Sequence, residues 1–158
     1  MDKNLIKTRP PYISVVMAVY NCENFIKLAL ESILNQSFTD FEFIIINDGS
    51  TDKSLDIINS FTDNRIRVFN QENHGLAYSL NIGISMATGK YIARMDADDI
   101  SHSTRFEKQV QYMEKNAHIG VSGTWIRCIN GDENWIIKYP ISNIQAKTTL
   151  LFTVPFAH

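Results

Sequence analysis

Four times between Ile13 and Asn116 a β-rich apolar run leads through polar turn residues into an apolar stripe at helical spacing, and that alternation admits few folds. Ile13 to Tyr20 (ISVVMAVY) is almost unbroken in its apolar character, as in a strand covered on both faces. Asn21 stands where a helix cap belongs, and Phe25, Leu28, Ala29, Ser32 and Ile33 follow at helical spacing up to about Gln36. Phe41 to Ile46 is a second buried strand; Asp48-Gly49-Ser50-Thr51-Asp52 reads as a turn into a cap, with Leu55, Ile58 and Phe61 continuing as helix. Ile66 to Phe69 and then Leu76, Ala77, Leu80, Ile84 and Ala87, closed by Gly89, make the third round. Tyr91 to Met95 is the fourth strand. Thr104 and Glu107 have capping-box spacing ahead of Phe106, Val110 and Met113, in a helix ending near Asn116. This alternation predicts an α/β fold with a Rossmann-like, mostly parallel sheet flanked by helices.

The rhythm changes after Asn116. Ile119 to Ile129 and Trp135 to Tyr139 flank Asn130-Gly131-Asp132, a tight-turn signal, and predict an antiparallel hairpin toward the C-terminus. Ser142 and Gln145 have capping-box spacing for a last helix around Ile144 to Leu151, before Pro155. No repeat or linker interrupts the 158 residues, which predicts a single domain.

A formal net charge of -2 supplies no basic field for a phosphate backbone, so nucleic acid is not expected as a partner. Cys22 and Cys128 have no CxxC companions, and His74, His102 and His118 share no ligand spacing, so neither a zinc site nor a disulfide framework is signalled. No run of eighteen apolar residues appears, and Met1 to Tyr12 has no apolar core of a signal peptide. A soluble, cytoplasmic protein without a transmembrane segment is the expectation, with peripheral contact at the inner face of a membrane left open.

In open parallel sheets ligands sit beyond the carboxyl ends of the strands, and the polar residues of this chain gather there. Asp96-Ala97-Asp98-Asp99 places three carboxylates within four residues, a hard-oxygen set suited to Mg²⁺ or Mn²⁺; the alternative is a solvated loop capping the next helix. By strand alternation Asp96 shares a face with Arg94, which brings a cation to the same cleft. Asp48 leaves the second strand first, where a carboxylate can accept from a base N–H, or simply form an Asx turn with Gly49. Tyr20 either packs on a base or fills a crevice, and Glu23 by itself is a first-turn acid facing the helix dipole.

These strand ends, in this order, resemble family 2 glycosyltransferases, which are inverting enzymes of the GT-A fold. The matching stretches are Ile13-Ser-Val-Val-Met-Ala-Val-Tyr-Asn-Cys-Glu23, Leu30-Glu-Ser-Ile-Leu-Asn-Gln36, Phe41-Glu-Phe-Ile-Ile-Ile-Asn-Asp-Gly-Ser-Thr-Asp52, Asn73-His-Gly-Leu-Ala77, Asn81-Ile-Gly83 and Gly89-Lys-Tyr-Ile-Ala-Arg-Met-Asp-Ala-Asp-Asp99. Each is weak singly; their order and spacing are specific.

The resemblance implies a nucleotide-diphosphate sugar donor, commonly a UDP-sugar, and a saccharide or lipid-linked acceptor. It implies Ala18, Tyr20 and Glu23 lining the nucleoside site and Asp48 contacting the base. Asp96 and Asp98 correspond to the DxD pair around Mn²⁺ or Mg²⁺, with Asp98 the first metal contact and Asp99 an assistant. Asn47 departs from the frequent Asp-Asp-Gly-Ser pattern. No Asp or Glu follows Glu133, so the general base expected for inverting transfer is placed beyond His158, and the chain is expected to be incomplete there. Two other readings are carried: a fragment that binds metal and nucleotide-sugar without transfer, and a flavodoxin-like receiver. The receiver wants an aspartate where the third strand here ends in Asn70-Gln71.

Overall fold

The computed structural model describes residues 9–149 of the chain. They fall into two compact units, Met1–Lys108 and Gln109–His158, so the division lies inside a helix, where no shift in composition announces it.

The first unit is built on β1 (Ile13–Val19), β2 (Phe41–Asp48), β3 (Ile66–Gln71) and β4 (Tyr91–Asp96). They form one wholly parallel sheet in the order β3-β2-β1-β4. Each strand leads into a helix: α1 (Ile26–Leu34), α2 (Ser54–Asn59), α3 (Leu76–Ser85) and α4 (Arg105–Lys115). The two most apolar strands are the two in the middle. All eight residues of β2 are buried, and six of the seven in β1, because helices cover both faces of a parallel sheet. β3 and β4 lie at the edges and are only partly buried. Ile26, Leu30 and Ile33 of α1, Ile58 of α2 and Phe106 of α4 are sealed from solvent, and the Phe106 ring meets Phe41 edge-on at 5.7 Å.

At the amino edge of this sheet a buried acid ties three strands together. The Glu42 carboxylate accepts from Ser14 Oγ at 2.7 Å, Thr88 N at 2.9 Å and Thr88 Oγ1 at 2.7 Å, and it pairs with Arg67 of β3. Burial alone would raise its pKa; the hydroxyl, amide and guanidinium donors outweigh burial and bring it down to about 2. Gly89 belongs to the same knot, donating to Ser14 Oγ at 2.8 Å. A Cβ there would stand 2.5 Å from the Ser14 nitrogen, so the turn before β4 can lie flat on β1 only without a side chain.

Two local expectations are corrected. Asn21 does not cap α1. That helix begins at Ile26, with the Cys22 carbonyl accepting from Phe25 N and Ile26 N, while Asn21 adopts a left-handed φ of 49° and directs its side chain to another loop. The extended run from Ile119 is also shorter than its composition predicts. β5 begins only at Ile126, because Gly120 and Gly123 interrupt a stretch that has no strand opposite it.

In the second unit β5 (Ile126–Asn130) and β6 (Glu133–Ile137) pair antiparallel, with Asn130 opposite Glu133 across a two-residue turn in which Gly131 has φ 59°. α5 (Asn143–Thr149) starts from the capping box: Gln145 N donates to Ser142 Oγ at 3.3 Å, and the Gln145 side chain reaches back to Ile141 N. The expected end of this helix at Leu151, and Pro155 after it, lie outside the described residues. No helix among the described residues is long and apolar enough to cross a membrane.

Candidate functional site

The chain runs outward from β1 through β2 to β3, then returns to set β4 on the other side of β1. That reversal opens a crevice between the carboxyl ends of β1 and β4. Register decides what meets there. Ala18 lies directly beside Asp96, Val19 beside Asn47, and Asp48 beside Gln71. The small Ala18 side chain leaves room next to an acid, and Tyr20, two residues on, is 53% exposed.

The acidic turn does not present its three carboxylates equally. Asp96 is paired at 2.6 Å with Arg94, which lies on the same strand face. Asp99 is raised above the ordinary aspartate value by burial, then by the charges of Asp96 and Asp98. Asp98 and Asp99 are both exposed, and the Asp98 carboxylate has no hydrogen bond or ion pair among the described residues. The Cys22 thiol is pushed up by burial and then by Asp98 and Asp52, which places the acidic turn within electrostatic reach of the loop after β1. Among the described residues no three His, Cys, Asp or Glu side chains form a complete cation cage. A cation here would take one or two carboxylates and draw its other oxygens from a ligand or water, a coordination usual for Mg²⁺. In chemistry and exposure, Asp98 fits that role.

Several residues without a sequence signal hold this turn. Arg105 at the start of α4 donates to the Arg94 carbonyl at 2.9 Å and touches Met95 Sδ at 3.4 Å. Burial holds its guanidinium below the ordinary value, against the pull of Asp99 and Asp96. Gln36, 3% exposed, donates to the His102 carbonyl at 2.7 Å and accepts from Phe106 N at 3.1 Å, so the end of α1 caps α4. Ser32 Oγ accepts from Ser101 N. Nothing in their spacing links Gln36 and Ser32 to this turn, because their partners lie more than sixty positions away.

Glu23 lies at the site's rim but is engaged. Its carboxylate accepts from Lys53 N at 2.9 Å while its own N–H donates to Asp52 at 3.0 Å. Asn21, Ser50, Cys22 and Ser54 extend the same lattice of bonds, fixing the loop that carries Tyr20 to the loop after β2. Asp48 is 2% exposed, and its carboxylate is enclosed by donors from the last residue of β3 and the segment after it.

Comparison with known proteins follows the same lines. The sequence model of Glycosyl transferase family 2 matches residues 14–158. An uncharacterized glycosyltransferase of Haemophilus influenzae is 41% identical over 94% of this chain and 45% of its own length. The O-antigen biosynthesis glycosyltransferase WbnJ of Escherichia coli is 38% identical, over 92% of this chain and 59% of its own. The chain thus spans about half the length of the curated relatives it matches. Among solved structures, S. aureus TarS in complex with UDP-GlcNAc superposes with a TM-score of 0.62 at 25% identity, over 66% of this chain and 32% of that one. A mannosyltransferase from Pyrobaculum calidifontis in complex with GDP-Man and Mn²⁺ gives 0.60 at 23%, over 67% and 33%. The parallel sheet flanked by helices, with its separate antiparallel pair, is accordingly a GT-A fold.

Proposed function

The chain belongs to glycosyl transferase family 2, and from that premise we propose that its carboxyl-edge crevice binds a UDP-sugar with Mn²⁺ or Mg²⁺, for transfer of the sugar to a saccharide or lipid-linked acceptor with inversion. The observation that carries this reading is the exposed, unpartnered Asp98 carboxylate beside the crevice that Ala18 leaves open at Asp96. The UDP and UDP-GlcNAc held by S. aureus TarS support a uridine donor, and the O-antigen role of WbnJ supports a glycan product.

In this reading Asp98, with Asp99 and Asp96 behind it, holds the cation. When bound, the cation would neutralise charge on the diphosphate and on the departing nucleotide. Tyr20 packs against the nucleoside, Glu23 keeps the Tyr20 loop in place, and Arg94 orients Asp96. Arg94 Nε and Nη1 are buried without a partner among the described residues, which leaves two donors for a bound anion.

Incubation with UDP-glucose, UDP-galactose and UDP-GlcNAc in Mn²⁺ tests the proposal. At least one donor should release UDP, faster with a saccharide acceptor and not at all in EDTA; no UDP from any donor would contradict transfer. A second reading is binding of metal and nucleotide-sugar without transfer. UDP bound in the presence of Mn²⁺ but never released from a donor would select it.

A further inference from the structure

The acidic turn rides on a loop whose two limbs are fixed to different elements. Its outgoing limb is the end of β4, where Met95 lies beside Met17 and Asp96 beside Ala18. Its returning limb, residues 101–106, is stitched to the end of α1. Ser101 N donates to Ser32 Oγ at 3.0 Å, Ser37 N to the Ser103 carbonyl at 2.8 Å, and Gln36 engages the His102 carbonyl and Phe106 N. One side chain joins the limbs to each other. Arg105 Nη2 donates to the Arg94 carbonyl at 2.9 Å, while Nη1 meets Met95 Sδ at 3.4 Å. Arg94 and Arg105 stand eleven positions apart, so the planar guanidinium grips the neck of the loop with two arms.

The chemistry of the turn calls for such a grip. Asp96, Asp98 and Asp99 are like charges crowded into one short segment, and Asp98 and Asp99 are both exposed. Repulsion drives them apart, and the bond across the turn, from Asp99 N to the Asp96 carbonyl, is long at 3.4 Å. Arg105 opposes this spreading twice over. Its arms hold the backbone, and its charge acts on Asp99, as the charges of Asp99 and Asp96 act on it.

We propose that Arg105 is a positioning residue for the cation: by closing the neck of this loop it fixes the spacing at which Asp98, Asp99 and Asp96 meet the metal. The proposal rests on the donor-binding reading above. It brings α4 into the site through a residue that itself touches neither donor nor cation.

The test uses R105M, R105K and E42Q, each checked for its fold by circular dichroism. UDP affinity in Mn²⁺ is read by calorimetry, and Mn²⁺ bound without nucleotide by the free-ion signal in electron paramagnetic resonance. R105M, without donors or charge, should weaken both about tenfold or more, as loss of an outer partner of a metal site commonly does. R105K keeps the charge but only a point donor, so its loss should be smaller but measurable. E42Q loosens the opposite edge of the sheet and should leave both affinities native. Native affinities in folded R105M overturn the proposal, and so does an equal loss in E42Q, which would trace the effect to general destabilisation. Should R105M fail to fold, R105K decides alone, and native affinities in it overturn the two-armed grip. A native protein that binds neither UDP nor Mn²⁺ would bring down the donor reading and the cation site with it. In that case faster exchange of the Asp99 and Ser101 amides in R105K still establishes the neck, and unchanged exchange removes it.

Discussion

Asp98→Ala is expected to reduce Mn²⁺-dependent nucleotide binding by about 100-fold or more, to the level seen in EDTA, while leaving the fold intact. Asp98 has no structural partner to lose, and its removal relieves repulsion within the acidic turn, so stability should change by no more than about 0.5 kcal/mol. Asp98→Asn should behave alike, because an amide of the same shape carries no charge for the cation. Calorimetric titration of each variant with UDP in Mn²⁺, beside a thermal melt, reads both quantities. Native-like affinity with an unchanged melting temperature would remove Asp98 from the cation site.

Glu42→Ala should destabilise the first unit by about 1–3 kcal/mol in urea unfolding. Removal of the carboxylate takes an acceptor from the buried Ser14 hydroxyl and from the Thr88 amide and hydroxyl, while the Arg67 side chain, 43% exposed, turns to water. The same acid imposes a pH dependence. Its folded pKa, about 2, lies below the ordinary value of 4.5, so its contribution is fully present above the ordinary value. That contribution, about 3 kcal/mol from the size of the shift, is lost as pH falls from 4.5 toward 2. Glu42→Gln should flatten stability across that window. An equally steep acid limb in Glu42→Gln would place the titrating group elsewhere.

Much of the fold was legible in sequence because burial on both faces leaves an unmistakable record. The apolar runs of β1 and β2 exist because helices cover each side of the sheet's centre, and the strand ends stand out because polarity is tolerated only there. What composition and alternation could not carry was partnership. That β4 returns beside β1, bringing Asp96 next to Ala18, is a matter of topology, which no local pattern encodes. Arg94 and Asp96 could be put on one face in advance because alternation places positions two apart together; their ion pair appears only in the structure. Asp48 and Gln71, twenty-three positions apart, carried no such sign. Asn21 misled for a related reason. Its residue type suits both a helix cap and a left-handed turn, and the choice between them is made by Thr51 on another loop. The residue types of the candidate site could be read from the strand ends, whereas the exposure and pairing of its acids required the structure.

The central claim is that the carboxyl edge of this sheet holds a uridine nucleotide through a divalent cation. Isothermal titration of UDP, GDP and ADP into the native protein, each in Mn²⁺ and again in EDTA, tests it most directly. The account predicts binding in Mn²⁺ that is tightest for UDP and disappears in EDTA; binding to none of the three, or equal binding with and without the metal, would contradict it.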